Sequence, residues 1–164
     1  MIKLIVLLQM ISVLGFAQVA NAADAAPASL PKGLMKLDGR PAPPLQLADM
    51  DGKTVDLATR KGHWVIVHFW ASWCGPCRKE LPTLQRMSEK VPSAQVELIM
   101  VNTAESDEQV FAFLPTLAPD LNTYMDRDGR VTDAWQPRGL PSSFIVDPAG
   151  KLRYLALGGR DWDS

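Results

Sequence analysis

Cys74 and Cys77 are the only thiols in the 164-residue sequence, and they stand three apart in Trp73-Cys74-Gly75-Pro76-Cys77. Two thiols this close can cycle between dithiol and disulfide, so the chemistry they suggest is thiol–disulfide exchange. The motif lies where an apolar, β-branched run hands over to a helical pattern, which puts Cys74 at a helix N-terminus. Unpaired N–H groups and the helix dipole there favour an anion, and so favour the nucleophilic thiolate. Pro76 can occupy the first turn without losing a useful donor, and Gly75 leaves room above Cys74 for the sulfur of a partner. Trp73 is expected to cover the disulfide edge and meet partners. In the expected cycle, Cys74 attacks, a mixed disulfide forms, and Cys77 resolves it.

Other uses of the two cysteines fit less well. A structural disulfide closing so short a loop removes little unfolded-state entropy. A zinc site would need His63 and His68, which lie five apart on one strand, point to opposite faces and cannot converge; no metal is expected. Inert buried thiols fit poorly at a helix start. Resolution by Cys77 requires that a partly buried thiol lose its proton, so a base nearby helps. Two candidates present themselves. His68 lies on the strand before the motif and titrates in the right range when unperturbed. Glu80 follows Cys77 by three, on the same helical face. Each could equally be structural: a hydrogen-bonded core histidine, a solvated helix carboxylate. Glu80→Gln is expected to slow exchange more than His68→Asn. Arg78 and Lys79 read as solvated.

The elements that must position these residues follow from periodicity. Leu45–Asp49 and Thr54–Leu57 flank an Asp-Gly turn and read as a hairpin. His63–Trp70 reads as a central strand buried on both faces. A helix spans about Gly75 to Lys90, with Pro82 expected to kink it or split its first turn from the rest. Val96–Val101 is a second buried strand, and Ser106–Leu117 a helix capped by Ser106. Asn122–Met125 is extended, Val131–Trp135 a helical turn or two, and Ser142–Asp147 a strand that turns into Lys151–Leu157. The alternation implies an α/β sheet, parallel first and antiparallel at a later edge.

Composition bounds the rest. Lys and Arg number 17, Asp and Glu 18, for a net charge of −1. So even a balance offers no basic field for nucleic acid. The length allows one domain. Residues 1–22, with Lys3, an apolar run from Leu4 and Ala20-Asn21-Ala22, read as a secretory signal cleaved after Ala22, or else an uncleaved anchor. Export would place the cysteines where disulfides persist, with the periplasm as the expected location. Residues 23–40 read as a flexible leader, and 41–164 as the folded domain.

The stretch from His68 through Trp73-Cys74-Gly75-Pro76-Cys77 to Glu80-Leu81-Pro82 resembles the thioredoxin-like proteins of the TlpA/ResA/CcmG (DsbE) group, exported thiol-disulfide oxidoreductases. Pro41 to Leu57 resembles their N-terminal hairpin, and Gly139-Leu140-Pro141-Ser142 to Asp147 their cis-proline loop and following strand. The resemblance implies a thioredoxin-like α/β fold with that hairpin extension and a cis Leu140–Pro141 bond beside Cys74. The backbone of that loop would pair with an extended client segment. Thioredoxins carry an aspartate where His68 stands, and the TlpA-like group more often an asparagine, so His68 departs from both. A glutamate at the offset of Glu80 is shared, and there it tunes the cysteines.

The function so implied is reduction of protein disulfides, as in cytochrome c maturation, with no cofactor beyond the Cys74–Cys77 couple. The partners implied are a client with a disulfide or with haem- or metal-binding cysteines, and a membrane thiol donor; the protein would act as a monomer. An oxidant or isomerase is the alternative within the class. A copper chaperone on this fold is the alternative outside it, although no histidine follows Cys77. Nor does a threonine precede Cys74 at the spacing peroxiredoxins use. Relatives end in a final helix that covers one sheet face, whereas this chain ends in a turn with Asp or Ser as an N-cap. The expectation is a chain truncated before its last helix, or one whose Leu152, Tyr154 and Ala156, or Leu155 and Leu157, stay partly uncovered, lowering stability or promoting self-association.

Overall fold

In the computed structural model, residues 30–92 and 96–164 are described; the expected signal segment and the first part of the leader lie outside them. The strand Trp64–Trp70 (β4, in an order in which Leu34–Lys36 is β1, Gln46–Ala48 β2 and Thr54–Asp56 β3) is buried along its whole length after Trp64. Its β-branched and aromatic side chains suit a strand covered on both faces. It pairs in parallel with β5 (Val96–Thr103), which pairs in parallel with β6 (Tyr124–Asp126). On its other side it pairs antiparallel with β7 (Ser142–Val146), which turns back into β8 (Leu152–Leu157). The sheet order is β1-β8-β7-β4-β5-β6, and β2 and β3 form a separate hairpin across the expected Asp-Gly turn.

Alternation along β4 divides the interior in two. Val65, Val67 and Phe69 join Ile99, Val101, Trp135, Phe144 and Leu155 on one face, with the hairpin residues Leu45 and Val55. Trp70 and Met100 face the other way, onto Cys77, Leu81 and Leu84 of α1 (Gly75–Lys90). His68 lies on this second face, so the strand that forms the core also aims a titratable ring at the cysteine helix.

Four expectations need correction. The leader does not remain outside the fold to residue 40: β1 pairs with β8, and Met35 and Leu37 pack on the core. Leu34–Lys36 is too short to read as a strand by itself, and only its distant partner makes it one. The expected Ser106–Leu117 helix is two pieces, α2 (Asp107–Phe111) and α3 (Leu114–Leu117), because Pro115 cannot donate into the preceding turn. By contrast, Pro82 does not split α1, which runs continuously through it. The C-terminal strand is less bare than expected, since Leu152, Leu155 and Ala156 are all at most 3% exposed and only Tyr154 and Leu157 stay half-buried. No helix follows β8 among the described residues; residues 158–164 run instead along α1. Within that segment the Asp161 side chain accepts from Asp163 N–H in a local turn, with no helix after it for the expected cap to begin.

Candidate active site

The first turn of α1 is built around Cys74. Its backbone is extended (φ −80°, ψ 106°), so it occupies the N-cap, with Gly75, Pro76 and Cys77 as the first helical residues. Cys74 Sγ accepts from the Cys77 N–H at 3.2 Å, the place a serine or aspartate oxygen takes at an ordinary cap. That donor would stabilise a thiolate on Cys74 once the pair is reduced. The two cysteines are joined as a disulfide, with Cα atoms 5.3 Å apart. Cys74 is 5% exposed and Cys77 fully buried, so the outer sulfur is the one an incoming group can reach.

Behind Cys77, His68 and Glu80 meet. Both are buried, and Nε2 of the imidazole lies 3.2 Å from Glu80 Oε1. The approach lacks hydrogen-bond alignment, so these two atoms have no other polar partner and face only each other. The outer ends are fixed. Ser143 Oγ on β7 lies 2.7 Å from His68 Nδ1. Glu80 Oε2 accepts from Arg160 N–H and from the Trp162 indole N–H, each at 3.1 Å. The two residues weighed as separate candidates are thus a single buried carboxyl–imidazole pair, one helical turn from Cys77. Glu80 is no solvated side chain, because the tail seals it from water.

The AhpC/TSA family model matches residues 39–155. The chain belongs to the AhpC/TSA family. Within that family, it is 34% identical over 121 residues to the thiol-disulfide oxidoreductase ResA of Bacillus subtilis, covering 74% of this chain and 68% of ResA. Among solved structures, the thioredoxin domain of a thiol-disulfide oxidoreductase from Bacteroides vulgatus matches with TM-score 0.67 at 28% identity, over 76% of this chain and 91% of that one. StoA from Bacillus subtilis matches with TM-score 0.63 at 28% identity, over 76% of this chain and 94% of that one. With the bonded Cys74–Cys77 pair, these likenesses make this AhpC/TSA member a thiol-disulfide oxidoreductase of thioredoxin-like fold.

In this AhpC/TSA member the remaining predicted residues are placed as follows. Trp73 is 69% exposed beside the disulfide, whereas Trp70 is core and donates its indole N–H to Thr123 Oγ1. A Cβ on Gly75 would meet no heavy atom within 4 Å, so the backbone there borders open space. Pro76 is exposed. The Leu140–Pro141 peptide is cis, Pro141 is buried, and its carbonyl accepts from Gly158 N–H at 3.0 Å. That acceptor is therefore already engaged by the tail. Leu140 is half-buried against both core clusters. Arg78 is not merely solvated, since its guanidinium lies 5.0 Å from the Phe113 ring centroid.

One residue that holds the site in place escaped the sequence reading. Glu105, buried after β5, accepts from Ser72 N–H and from Asn102 Nδ2, both at 2.7 Å on Oε2, and bonds Ser72 Oγ through Oε1. It fastens the residue two positions before Cys74 to the neighbouring strand. A lone glutamate after a strand carries no local signal for this, because its partner lies 33 residues away.

Proposed function

We propose that the chain reduces protein disulfides outside the cytoplasm, with Cys74 as attacking thiolate, Cys77 as resolving thiol and the His68–Glu80 pair as proton acceptor for Cys77. The observation that carries this reading is the buried pair one turn behind a buried resolving cysteine. A fully buried thiol reaches its nucleophilic form only if its proton has somewhere to go.

Cys74 thiolate attacks one sulfur of the client disulfide, which forms a Cys74–client bond and releases the other client sulfur as a thiolate that takes up a proton. Cys77 then passes its proton to the pair and attacks Cys74 Sγ. The Cys74–Cys77 disulfide forms, the Cys74–client bond breaks, and the client leaves with both sulfurs reduced. The protein is left oxidised, as in the structure, and a thiol donor at the membrane restores the dithiol. The Gly-Pro dipeptide between the cysteines, as in reducing thioredoxins, supports this direction. The likeness to ResA and the signal-like residues 1–22 support an exported protein that keeps haem- or metal-binding cysteines reduced, as in cytochrome c maturation.

A Cys77→Ala variant tests the reading. Lacking the resolving thiol, it should accumulate mixed disulfides on Cys74 with exported proteins that carry such cysteines. Cells that yield only monomeric, uncoupled Cys77→Ala protein overturn it.

A further inference from the structure

The residues after β8 lie along one stripe of α1. Gly159 sits so close to the start of the helix that a Cβ on it would come within 3.2 Å of the Pro76 carbonyl oxygen. Arg160 N–H and the Trp162 indole reach Glu80, Trp162 N–H reaches Thr83 Oγ1 at 3.2 Å, and the Asp163 carboxylate pairs with Arg86 and Lys90. Arg160 also donates to the Gly33 carbonyl at 3.1 Å. The Trp162 ring meets His68 edge-on, with centroids 6.3 Å apart at 90°. One residue of the tail therefore touches both members of the buried pair.

We propose that Trp162, held by this strap, is a positioning residue for the resolving step. This deepens, and rests on, the reading of His68–Glu80 as proton acceptor. Two donors pin Glu80 Oε2, and Ser143 pins His68 Nδ1. What remains is Oε1 and Nε2, turned towards each other in a site that excludes water. Without the indole donor the carboxyl group is held only by Arg160 N–H and can rotate about its terminal torsion, which is broad for glutamate. The pair then loses its fixed geometry towards Cys77, and proton transfer depends on that geometry.

The test is stopped-flow oxidation of the reduced protein by an aromatic disulfide. The first phase reports attack by Cys74, and the second reports attack by Cys77 on the mixed disulfide. Trp162→Phe keeps an aromatic ring and removes the single donor. It should slow the second phase about fivefold, the loss expected for one hydrogen bond. In the Glu80→Gln background the same change should have no further effect, because it acts through Glu80. Equal slowing in both backgrounds would mark Trp162 as packing only and overturn the proposal, as would no slowing in either. If Glu80→Gln alone leaves the second phase unchanged, the proton-acceptor reading itself falls. That outcome is distinct from a second phase slowed by Glu80→Gln and untouched by Trp162→Phe, which sinks only the role of the tail.

Discussion

Replacing Glu105 with alanine removes the acceptor on which Ser72 N–H and the Asn102 amide converge. Asn102 is fully buried and Ser72 half-buried, and a buried donor left without a partner costs about 1–3 kcal/mol. Water entering the vacated volume offsets part of this. The expected loss is about 3 kcal/mol, a large share of the stability of a single domain. Glu105→Gln is the control. Its remaining oxygen can keep the place of Oε2, where two donors meet, while its amide faces the Ser72 hydroxyl, which rotates to accept. The expected cost is about 1 kcal/mol. Urea unfolding of the purified variants, with unchanged slope, reads both values. The alanine variant should also attack disulfides more slowly through Cys74, since Ser72 and Trp73 lose their tether to β5. Equal destabilisation by alanine and glutamine would refute the reasoning, because it would mean that the converging donors find other partners at no cost.

The direction of exchange has a direct measure: equilibration against glutathione or thioredoxin couples should place the Cys74–Cys77 couple near the reducing value of about −270 mV. A value near −120 mV would instead mark an oxidant. Acid stability provides a second check. Asp147, at the turn between β7 and β8, accepts from Lys151 N–H, and this, with Arg153 and Ala149 N–H, outweighs the opposing effect of burial and holds its carboxyl below the usual aspartate range. A pKa lowered by folding adds stability that is present above the unfolded value of about 3.9 and is lost as pH falls through the folded value. Asp147→Asn should therefore lower stability at pH 7, with the gap to the parent narrowing below about pH 4; a gap that widens in acid would contradict this.

The parts legible in the sequence are those whose physics is local. The Cys74 cap, the turn chemistry of Pro76, the Asp-Gly hairpin and the apolar run of β4 each depend on residues within a few positions of one another. Their structures follow the reading closely: α1 spans Gly75–Lys90 as expected, and β4 differs from expectation by one residue. The α2–α3 break shows the same locality from the other side. The proline that causes it was visible, but its weight against the Ser106 cap was not. Strand β1 and the tether through Glu105 were invisible because their partners are far along the chain.

The pair of His68 and Glu80 shows why site residues weighed one at a time are misjudged. Either residue alone has an ordinary structural role, as a hydrogen-bonded core histidine or a surface carboxylate. Burial of a lone carboxyl group costs several kcal/mol, so solvation is the natural expectation for Glu80. That cost is offset when Arg160 and Trp162 of the tail donate to Glu80, while Ser143 of β7 holds His68, and contacts made 75 to 82 residues apart leave no periodic trace. Burial also turns Glu80 Oε1 towards His68 Nε2, away from any other polar partner, which is the arrangement the proposed proton transfer from Cys77 needs. The long-range packing that hides the pair from sequence reading is therefore the same packing on which its proposed role rests. The departure at His68 belongs to the same packing, since its ring on β4 meets both Glu80 and the Trp162 ring of the tail.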